Sequence, residues 1–314
     1  MGSGSGHGQG GWEDVASQVV SRVRVDDPDS FRLSGRACDD RLGLEGADLD
    51  GLLAESVARI GALQERLYAQ DRWAVLLLFQ AMDAAGKDGT IKHVMSGINP
   101  QGCQVWSFKR PSDEELDHDW MWRSLVRLPE RGRIGIHNRS WYEEVLVARV
   151  DPRVLAAQRL PDGARGERLW AQRYESIRDV ERHLARNGTL VLKFFLHVSK
   201  GEQGKRLLAR LEDPSKQWKF EAGDLVARKA WDDYMAAYDD AIRETSRPWA
   251  RWHVIPADRK PLMRLAVAAV VAEALAGLDL EFPRVSDEQR AQFGRLRAEL
   301  EGRPPPGVPF PPQP

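Results

Sequence analysis

The run WAVLLLFQ, Trp73 to Gln80, constrains the fold of this chain more than any other segment. It is short and continuously apolar, as expected of a strand covered on both faces in a parallel sheet. A glycine-containing turn and the helix-like TIKHVMSG follow it directly. The alternation then continues. CQVWSF (Cys103 to Phe108), RIGIHN (Arg133 to Asn138), TLVLKFFLHV (Thr189 to Val198) and RWHVIPA read as further strands. Between them, SDEELDHDWMWRSLVRL opens with Ser112 and Glu115 in capping-box spacing and reads as one amphipathic helix. WYEEVLVARV reads as another helix, and ERLWAQRYESIRDVERHLARNG as a long one closed by Gly188. A charged helical stretch from Lys200 to Thr245 separates the last two strands, and a core helix starts at Leu262. Strands alternating with helices predict an α/β fold, a parallel sheet with helices on both faces. The late helical insertion predicts a lid over the carboxyl edge of the sheet, where ligands bind in such folds.

Composition bounds the rest. The 314 residues are 42% hydrophobic and 30% charged, which is enough for a sizeable core in a soluble chain. Lys and Arg number 46 against 47 Asp and Glu, a formal net charge of −1, so bulk charge does not hold this chain to nucleic acid. The longest aliphatic stretch, LMRLAVAAVVAEALAGL, is interrupted by Arg264 and Glu273 and is too short to span a bilayer. Two cysteines, Cys38 and Cys103, make neither a disulfide framework nor a metal cluster. No basic segment followed by an apolar one opens the chain, and the expectation is a cytoplasmic protein. The organisation expected is a disordered Gly/Ser-rich tail over 1–14 and a helical extension over 15–70. A core over 71–282 carries its lid at about 200–245, and a C-terminal helix with the proline-rich RPPPGVPFPPQP fills 283–314.

QAMDAAGKDGT, Gln80 to Thr90, lies between the first strand and a helix, the context that a phosphate-binding loop requires. A loop feeding a helix N-terminus aims backbone N–H groups and the positive end of the helix dipole at one point. Gly86 lets the backbone approach an anion closely, and Lys87 adds a mobile positive charge. Ala84, Ala85, Gly86, Asp88, Gly89 and Thr90 are the candidate phosphate-binding residues around Lys87. The match to G-x-x-x-x-G-K-[ST] is incomplete: Ala81 replaces the first Gly, and Asp88 stands where Ser or Thr binds magnesium. Taken alone, the string also fits a solvated β–α turn. Asp83 within it points to a metal, because a carboxylate beside phosphate is repulsive unless a cation lies between them.

Two further elements join the loop. RIGIHNRSWYEE is a short apolar strand ending in a polar residue, which is Walker-B geometry: a metal-facing group opposite the phosphate loop. Here that residue is Asn138, which can coordinate through its carbonyl oxygen but brings no charge, and Arg139 follows. In SKGEQGKRLLARLEDPSKQWKF, Lys200, Lys205, Arg206, Arg210, Lys216 and Lys219 alternate with carboxylates. In isolation this is a solvated helix face; above a phosphate loop, Arg206 and Arg210, one turn apart, become a candidate anion clamp. Arg127, Arg131, Arg133 and Arg139 form a second basic cluster. Two basic stretches flanking one phosphate loop in a neutral chain favour a polyanionic ligand over a single nucleotide.

The runs DAAGKDGTIKHVMSGINPQGCQV, RSWYEEVLVARV and SKGEQGKR…DPSKQWKF…WDDYMAAYDDAI resemble the second family of polyphosphate kinases, in order and spacing, from Trp73 to Leu278. The resemblance implies a thymidylate-kinase-like P-loop kinase fold with a helical lid. It implies phosphoryl transfer between inorganic polyphosphate and AMP, ADP or ATP with Mg²⁺ or Mn²⁺, and a homodimer or homotetramer. By matched motif, Lys87 sits at the transferring phosphates and Asp83 helps hold the metal. Asn138 and Arg139 occupy the Walker-B position, and Arg206 lies over the reacting phosphates. Lys92, Lys109 and Lys219 are candidates for the polyphosphate track. Most of the family carries Asp before the matched Arg; Asn138, with KDG rather than KGG after the loop, is similar to the subgroup that phosphorylates both AMP and ADP. Glu143 and Glu144, one helical turn on, are the two candidates to replace the missing metal carboxylate.

The expected reaction is in-line attack by a nucleotide phosphate oxygen on the terminal phosphoryl of polyphosphate. The nucleophile is already anionic at neutral pH, so no strong base is needed and His93, His118 and His137 are not expected to be catalytic. Alternatives on the same residues are an ATP-dependent nucleoside monophosphate kinase and a non-catalytic sensor of polyphosphate or nucleotide. A nucleic-acid or membrane partner leaves the phosphate loop unexplained.

Overall fold

The structure, a computed structural model, describes residues 11–302 apart from 165 and 167. The Gly/Ser-rich segment before Gly11 and the proline-rich tail from Arg303 lie outside the described residues. The five strands are β1 (Ala74–Gln80), β2 (Cys103–Ser107), β3 (Ile134–Asn138), β4 (Thr189–His197) and β5 (Trp252–Pro256). They form one parallel sheet in the order β2-β3-β1-β4-β5. All seven residues of central β1 are buried, which is why its sequence shows no alternation.

The helices of eight residues or more are α1 (Trp12–Val23), α2 (Leu49–Gln70), α3 (Lys87–Val94), α4 (Leu169–Arg186), α5 (Lys200–Glu212), α6 (Ala222–Lys229), α7 (Trp231–Thr245), α8 (Lys260–Ala276) and α9 (Asp287–Leu300). Alternate side chains of β4 show how the layers divide. Lys193 meets Glu181 of α4, and Phe195 stacks on Tyr238 of α7. Phe194, between them, points the other way and stacks on Phe79 of β1 at 4.9 Å. On that other side α1, α2 and α3 pack around α8, the apolar helix read from Leu262 onward, whose buried residues run from Leu262 to Leu275. No described helix is long and apolar enough to cross a membrane.

Among the described residues, those up to Leu280 form one compact unit and those from Glu281 to Gly302 a second, which holds α9 behind a Ser286–Gln289 capping box. The expected boundary after 282 therefore falls two residues earlier. Helix α1 begins at Trp12, inside the expected 1–14 tail, because the indole is buried and donates to Ser56 Oγ at 2.8 Å. The extension over 15–70 is helical at its ends only; between Arg24 and Asp48 the one helical turn is Leu33–Gly35.

Three of the expected helices are broken, each for a local reason. SDEELDHDWMWRSLVRL gives two short helices, Asp113–Asp117 and Trp122–Leu125. Between them the Asp119 carboxylate accepts from Met121 N at 2.9 Å, an Asx turn that competes with helix. WYEEVLVARV becomes a 3-10 turn, Trp141–Glu144, and a short helix, Val147–Val150, because Trp141 and Tyr142 both enter the core. The lid stretch ends α5 at Glu212 because Asp213 precedes a proline and takes an extended conformation, φ −98° and ψ 107°. Gly188, at φ 78°, stops α4 as expected.

Candidate active site

Phe79 pairs in register with Asn138, so the carboxyl ends of β1 and β3 lie side by side and their loops face one another. After β1 the chain passes through Ala81–Gly86 into α3. Ala84 is left-handed at φ 62° and Gly86 lies at φ 111°. For an alanine that conformation costs about 1 kcal/mol, strain of the kind that collects at functional loops. Gly86 is favoured by its φ, and a Cβ there would stand 3.1 Å from Met263 Cε, so that side chain would have to give by a few tenths of an ångström. Ala81 needs no such freedom. Its contribution is a carbonyl, which accepts from Lys87 Nζ at 3.1 Å and closes the loop. That explains why the first glycine of the motif can be absent. Burial, and then Arg139, pull the Lys87 amine down to about 8 against the nearby Asp83, Glu143 and Asp88 carboxylates.

At the end of β3, Asn138 Nδ2 donates to Asp88 Oδ1 at 2.8 Å. The two departures from the usual motifs are thus partners. Arg139, left-handed at φ 68°, holds its backbone N–H on Phe79 O at 3.0 Å. Its guanidinium bridges Asp83 at 2.5 Å and Glu143 at 3.0 Å. Glu143 first, and then Asp83, keep it firmly protonated despite its burial. The two candidate carboxylates separate here. Glu143 shares Arg139 with Asp83. Glu144 is buried, paired with Arg123 at 3.3 Å and bonded by Gln158, and burial raises its pKa against the pull of Arg123 and Arg173. Among the described residues no group of three or more His, Cys, Asp or Glu side chains could hold a metal by itself.

The lid arrives through α5. Arg206 is buried and donates to Ala85 O at 2.6 Å, Ala257 O at 2.7 Å, Asp258 O at 3.0 Å and Glu202 at 2.8 Å. Its charge is therefore at the loop, but its N–H groups are taken up by backbone rather than left free for phosphate. Gln203, one residue before the Gly204–Arg206 stretch, bonds Asp83 O at 3.1 Å. Arg210, one turn on, lies beside Asp224 at 3.4 Å.

These groups open onto a cavity of about 1240 Å³. Asp83, Ala84, Gly86, Lys87, Asp88, Gly89, Asn138, Arg139, Glu143, Glu144, Arg206, Arg210, Lys109 and Lys219 all line it. Ala85 and Thr90 do not; Ala85 accepts from Arg206, and Thr90 Oγ1 bonds back to Gly86 O at 3.1 Å. Lys92 is exposed on α3 and does not line the cavity either: it lies a full turn beyond Asp88, farther from the helix N-terminus that meets the loop. Sequence reasoning missed Arg110, Arg123 and Arg153, and gave Lys260 and Arg264 no role, although all five line the cavity. Only the topology brings the ends of β2 and β5 to the same edge. Twelve lysines and arginines stand against six carboxylates in this lining, in a chain whose net charge is −1. His137 is a core residue: it bonds Arg127 O at 3.0 Å, and burial lowers its pKa to about 4. Of the lid tryptophans, Trp231 is buried and Trp218 is exposed at the cavity.

The sequence model of the family described as Polyphosphate kinase 2 matches residues 48–283. This chain belongs to the polyphosphate kinase 2 family. An ADP-polyphosphate phosphotransferase of Rhodopseudomonas palustris is 53% identical over 250 residues, 79% of this chain and 86% of the relative. An AMP/ADP-polyphosphate phosphotransferase of Meiothermus ruber is 43% identical over 267 residues, 84% of this chain and 96% of the relative. The crystal structure of polyphosphate kinase 2 from Arthrobacter aurescens TC1 superposes with a TM-score of 0.81 at 40% identity, covering 90% of this chain and 96% of that one. As a polyphosphate kinase 2 the chain is a polyphosphate-dependent kinase, and its P-loop, its β3 terminus and its lid arginine meet in one basic cavity.

Proposed function

We propose that this polyphosphate kinase 2 transfers the terminal phosphoryl group of polyphosphate to AMP and to ADP by direct in-line displacement. The observation that carries the reading is the excess of positive charge around Lys87 and Arg139 in a chain that is otherwise neutral. Two polyanions must meet at reacting distance, and preorganised cations in a partly dry cleft lower that repulsion most where charge builds up. Lys87 supplies a charge that phosphate oxygens restore on binding. Arg139, locked between Asp83 and Glu143, presents a guanidinium that cannot lose its proton. The nucleotide phosphate is its own nucleophile, and no general base is required; neutral, buried His137 fits that economy.

The side chains around the loop are oxygen donors, Asp83, Asp88, Glu143 and the Asn138 amide, a set that suits Mg²⁺ or Mn²⁺. Too few converge to enclose an ion, which fits a metal that takes its remaining ligands from substrate phosphates and water. When bound, such an ion screens the phosphate charges and orients the transferring group. Pairing of Asn138 with Asp88, in place of a Walker-B carboxylate, supports the dual-acceptor reading, as does likeness to the AMP/ADP-polyphosphate phosphotransferase. Two free cysteines and nucleotide substrates fit a cytoplasmic enzyme, and light scattering will distinguish the homodimer from the homotetramer that the sequence resemblance implies.

The test is purified protein with Mg²⁺, long-chain polyphosphate and AMP, without ATP, followed by nucleotide chromatography. ADP and then ATP are expected. ADP alone restricts the reaction to the first transfer, and no product until ATP is added would replace polyphosphate with ATP as donor.

A further inference from the structure

The 3-10 turn Trp141–Glu144 carries Glu143, one of the two carboxylates that hold Arg139. A turn of four residues has few backbone bonds of its own, and their geometry is poor, so the residues on either side of Glu143 decide where it points. Both are anchored in the interior. On one side, the Glu144 carbonyl accepts from Arg173 Nη1 at 2.6 Å and the Glu144 carboxylate pairs with Arg123 at 3.3 Å. On the other, Tyr142 is fully buried, and its hydroxyl enters a polar cluster that lies outside the cavity.

That cluster is built on Lys193, at the middle of β4. Neither Lys193 nor Glu181 of α4 exposes any of its side chain. The three N–H groups of the amine have three acceptors: Glu181 Oε2 at 2.7 Å, Tyr142 OH at 2.9 Å and Thr245 O, at the end of α7, at 2.7 Å. The Tyr142 oxygen also lies 2.8 Å from both Glu181 Oε1 and Thr245 Oγ1. Thr245 Oγ1 accepts in turn from Trp252 Nε1 of β5 at 2.9 Å, and the Trp252 ring stands edge-on to Tyr142 at 4.6 Å. Elements β4, β5, α4 and α7 thus converge on one phenol and fix the turn that bears it.

Stability does not account for this arrangement. Desolvating two charges costs about as much as their attraction restores, and well-packed apolar side chains of similar volume often serve as well or better. What a fully satisfied ionic cluster supplies is a single position. An apolar contact can slide, whereas moving Tyr142 would leave buried donors and acceptors unpaired in a low dielectric. The next residue in the chain inherits that position. Glu143 holds Arg139 at 3.0 Å, and Arg139 holds Asp83 of the P-loop at 2.5 Å.

We propose that Lys193 and Glu181 are positioning residues for phosphoryl transfer: through the Tyr142 hydroxyl they set the place of Glu143, and through Glu143 that of the Arg139 guanidinium. This assignment rests on the reading above, in which Arg139 meets the phosphates. Neither Lys193 nor Glu181 lines the cavity, so both act through other residues. The charge that interrupts the apolar run of β4 then belongs to the reaction as well as to the core.

The experiment compares wild type with Tyr142→Phe, Lys193→Met, the double variant Lys193→Met/Glu181→Leu, and Glu143→Ala alone and combined with Tyr142→Phe. Urea unfolding gives stability, and steady-state kinetics with AMP and long-chain polyphosphate give kcat and both KM values. The double variant leaves no stranded charge and is expected to unfold near the wild-type midpoint, yet with kcat about tenfold lower and each KM within threefold. Tyr142→Phe keeps the ring, loses one oxygen, and is expected to show the same split of kcat from KM. With Glu143→Ala already present, Tyr142→Phe should cost no more than twofold in kcat, because the link it breaks is gone. A stable double variant with wild-type kcat would overturn the proposal, as would losses that multiply in the Tyr142 and Glu143 cycle. That cycle keeps the test open if the Lys193 variants fold poorly. Wild-type protein that turns over no polyphosphate would sink the functional reading itself, a failure distinct from that of the positioning network.

Discussion

Lys87 is held in the empty site at a cost that should be measurable as stability. In the unfolded chain its amine titrates near 10.5; folded, burial and Arg139 bring it to about 8. The unfolded state therefore binds more protons between these values, and stability rises with pH across that window. Below pH 8 the full penalty applies, on the order of 3 kcal/mol from the gap between the two values. Replacing Lys87 by Met removes the charge and keeps the length. It forfeits one hydrogen bond to Ala81 O, worth about 1 kcal/mol, so the net gain at pH 7 is about 2 kcal/mol. For a domain of this size that is a rise in Tm of roughly 4 °C. Thermal melts of the two proteins at pH 7 and pH 9.5 check it, with the gap narrowing at the higher pH. Lys193, which also titrates near 8, is common to both and cancels in the difference. The same variant should lose turnover by about 10²–10³-fold. A Lys87→Met protein that is less stable at pH 7, shows a gap independent of pH, or keeps near-normal turnover would refute the argument.

Other substitutions probe the surrounding contacts. Lys193, fully buried, donates to Glu181 at 2.7 Å, Tyr142 OH at 2.9 Å and Thr245 O at 2.7 Å. Lys193→Met should cost about 3–5 kcal/mol in urea unfolding, and the double change with Glu181→Leu should recover most of it. Gly86→Ala meets both a φ of 111° and Met263 Cε at 3.1 Å, so a loss of about 1–2 kcal/mol and weaker phosphate binding by calorimetry are expected. Asn138→Asp places a second carboxylate against Asp88; its Tm should fall by a few degrees without divalent metal and recover more steeply than wild type on Mg²⁺ titration. An identical Mg²⁺ response in both proteins would count against these two residues facing the metal. Arg206→Lys keeps the charge but cannot span the carbonyls of Ala85, Ala257 and Asp258, so Tm should fall by a few degrees and kcat should drop by at least tenfold, more than the loss of stability accounts for at the assay temperature.

Every strand was legible: the inner strands, buried on both faces, carry near-continuous apolar runs that need no partner to be recognised, and the half-exposed edge strand β2 was read from its position in the alternation of strands and helices. The single charge inside one of them, Lys193 of TLVLKFFLHV, is explained only by the tertiary structure, where Glu181, Tyr142 and Thr245 surround it. The helices read less well where a side chain offered the backbone another bond. Asp119 did so in the segment after β2, and Asp213 before Pro214 stopped the lid helix. The P-loop and Asn138–Arg139 were readable because they sit at strand ends. Arg110, Arg123, Lys260 and Arg264 were not, since their proximity depends on strand order, which local patterns do not carry. Lys92 shows the converse: a cation close in sequence to the loop, but one turn farther down α3 and outside the cavity lining.

The contacts of Arg206 and Gln203 decide which part of the lid is free to respond to substrate. Arg206 ties α5 to the P-loop at Ala85 and to the segment after β5 at Ala257 and Asp258, while Gln203 ties it to Asp83. Moving the root of α5 would break all of these at once and leave carbonyls unpaired, so this part of the lid belongs to the fixed transfer centre. Beyond Asp213 the chain changes character: Lys216, Trp218 and Lys219 are exposed, and Trp218 makes local contacts, a bond to Ser215 O at 2.9 Å and the Lys219 amine over its ring at 5.0 Å. In the proposed reaction the cations nearest the transferring group, Lys87, Arg139 and Arg206, are thus tied to the loop, whereas Lys216 and Lys219 beyond Pro214 are exposed. Electrostatic catalysis needs the first set to be preorganised, and their bonds to backbone carbonyls and carboxylates supply that.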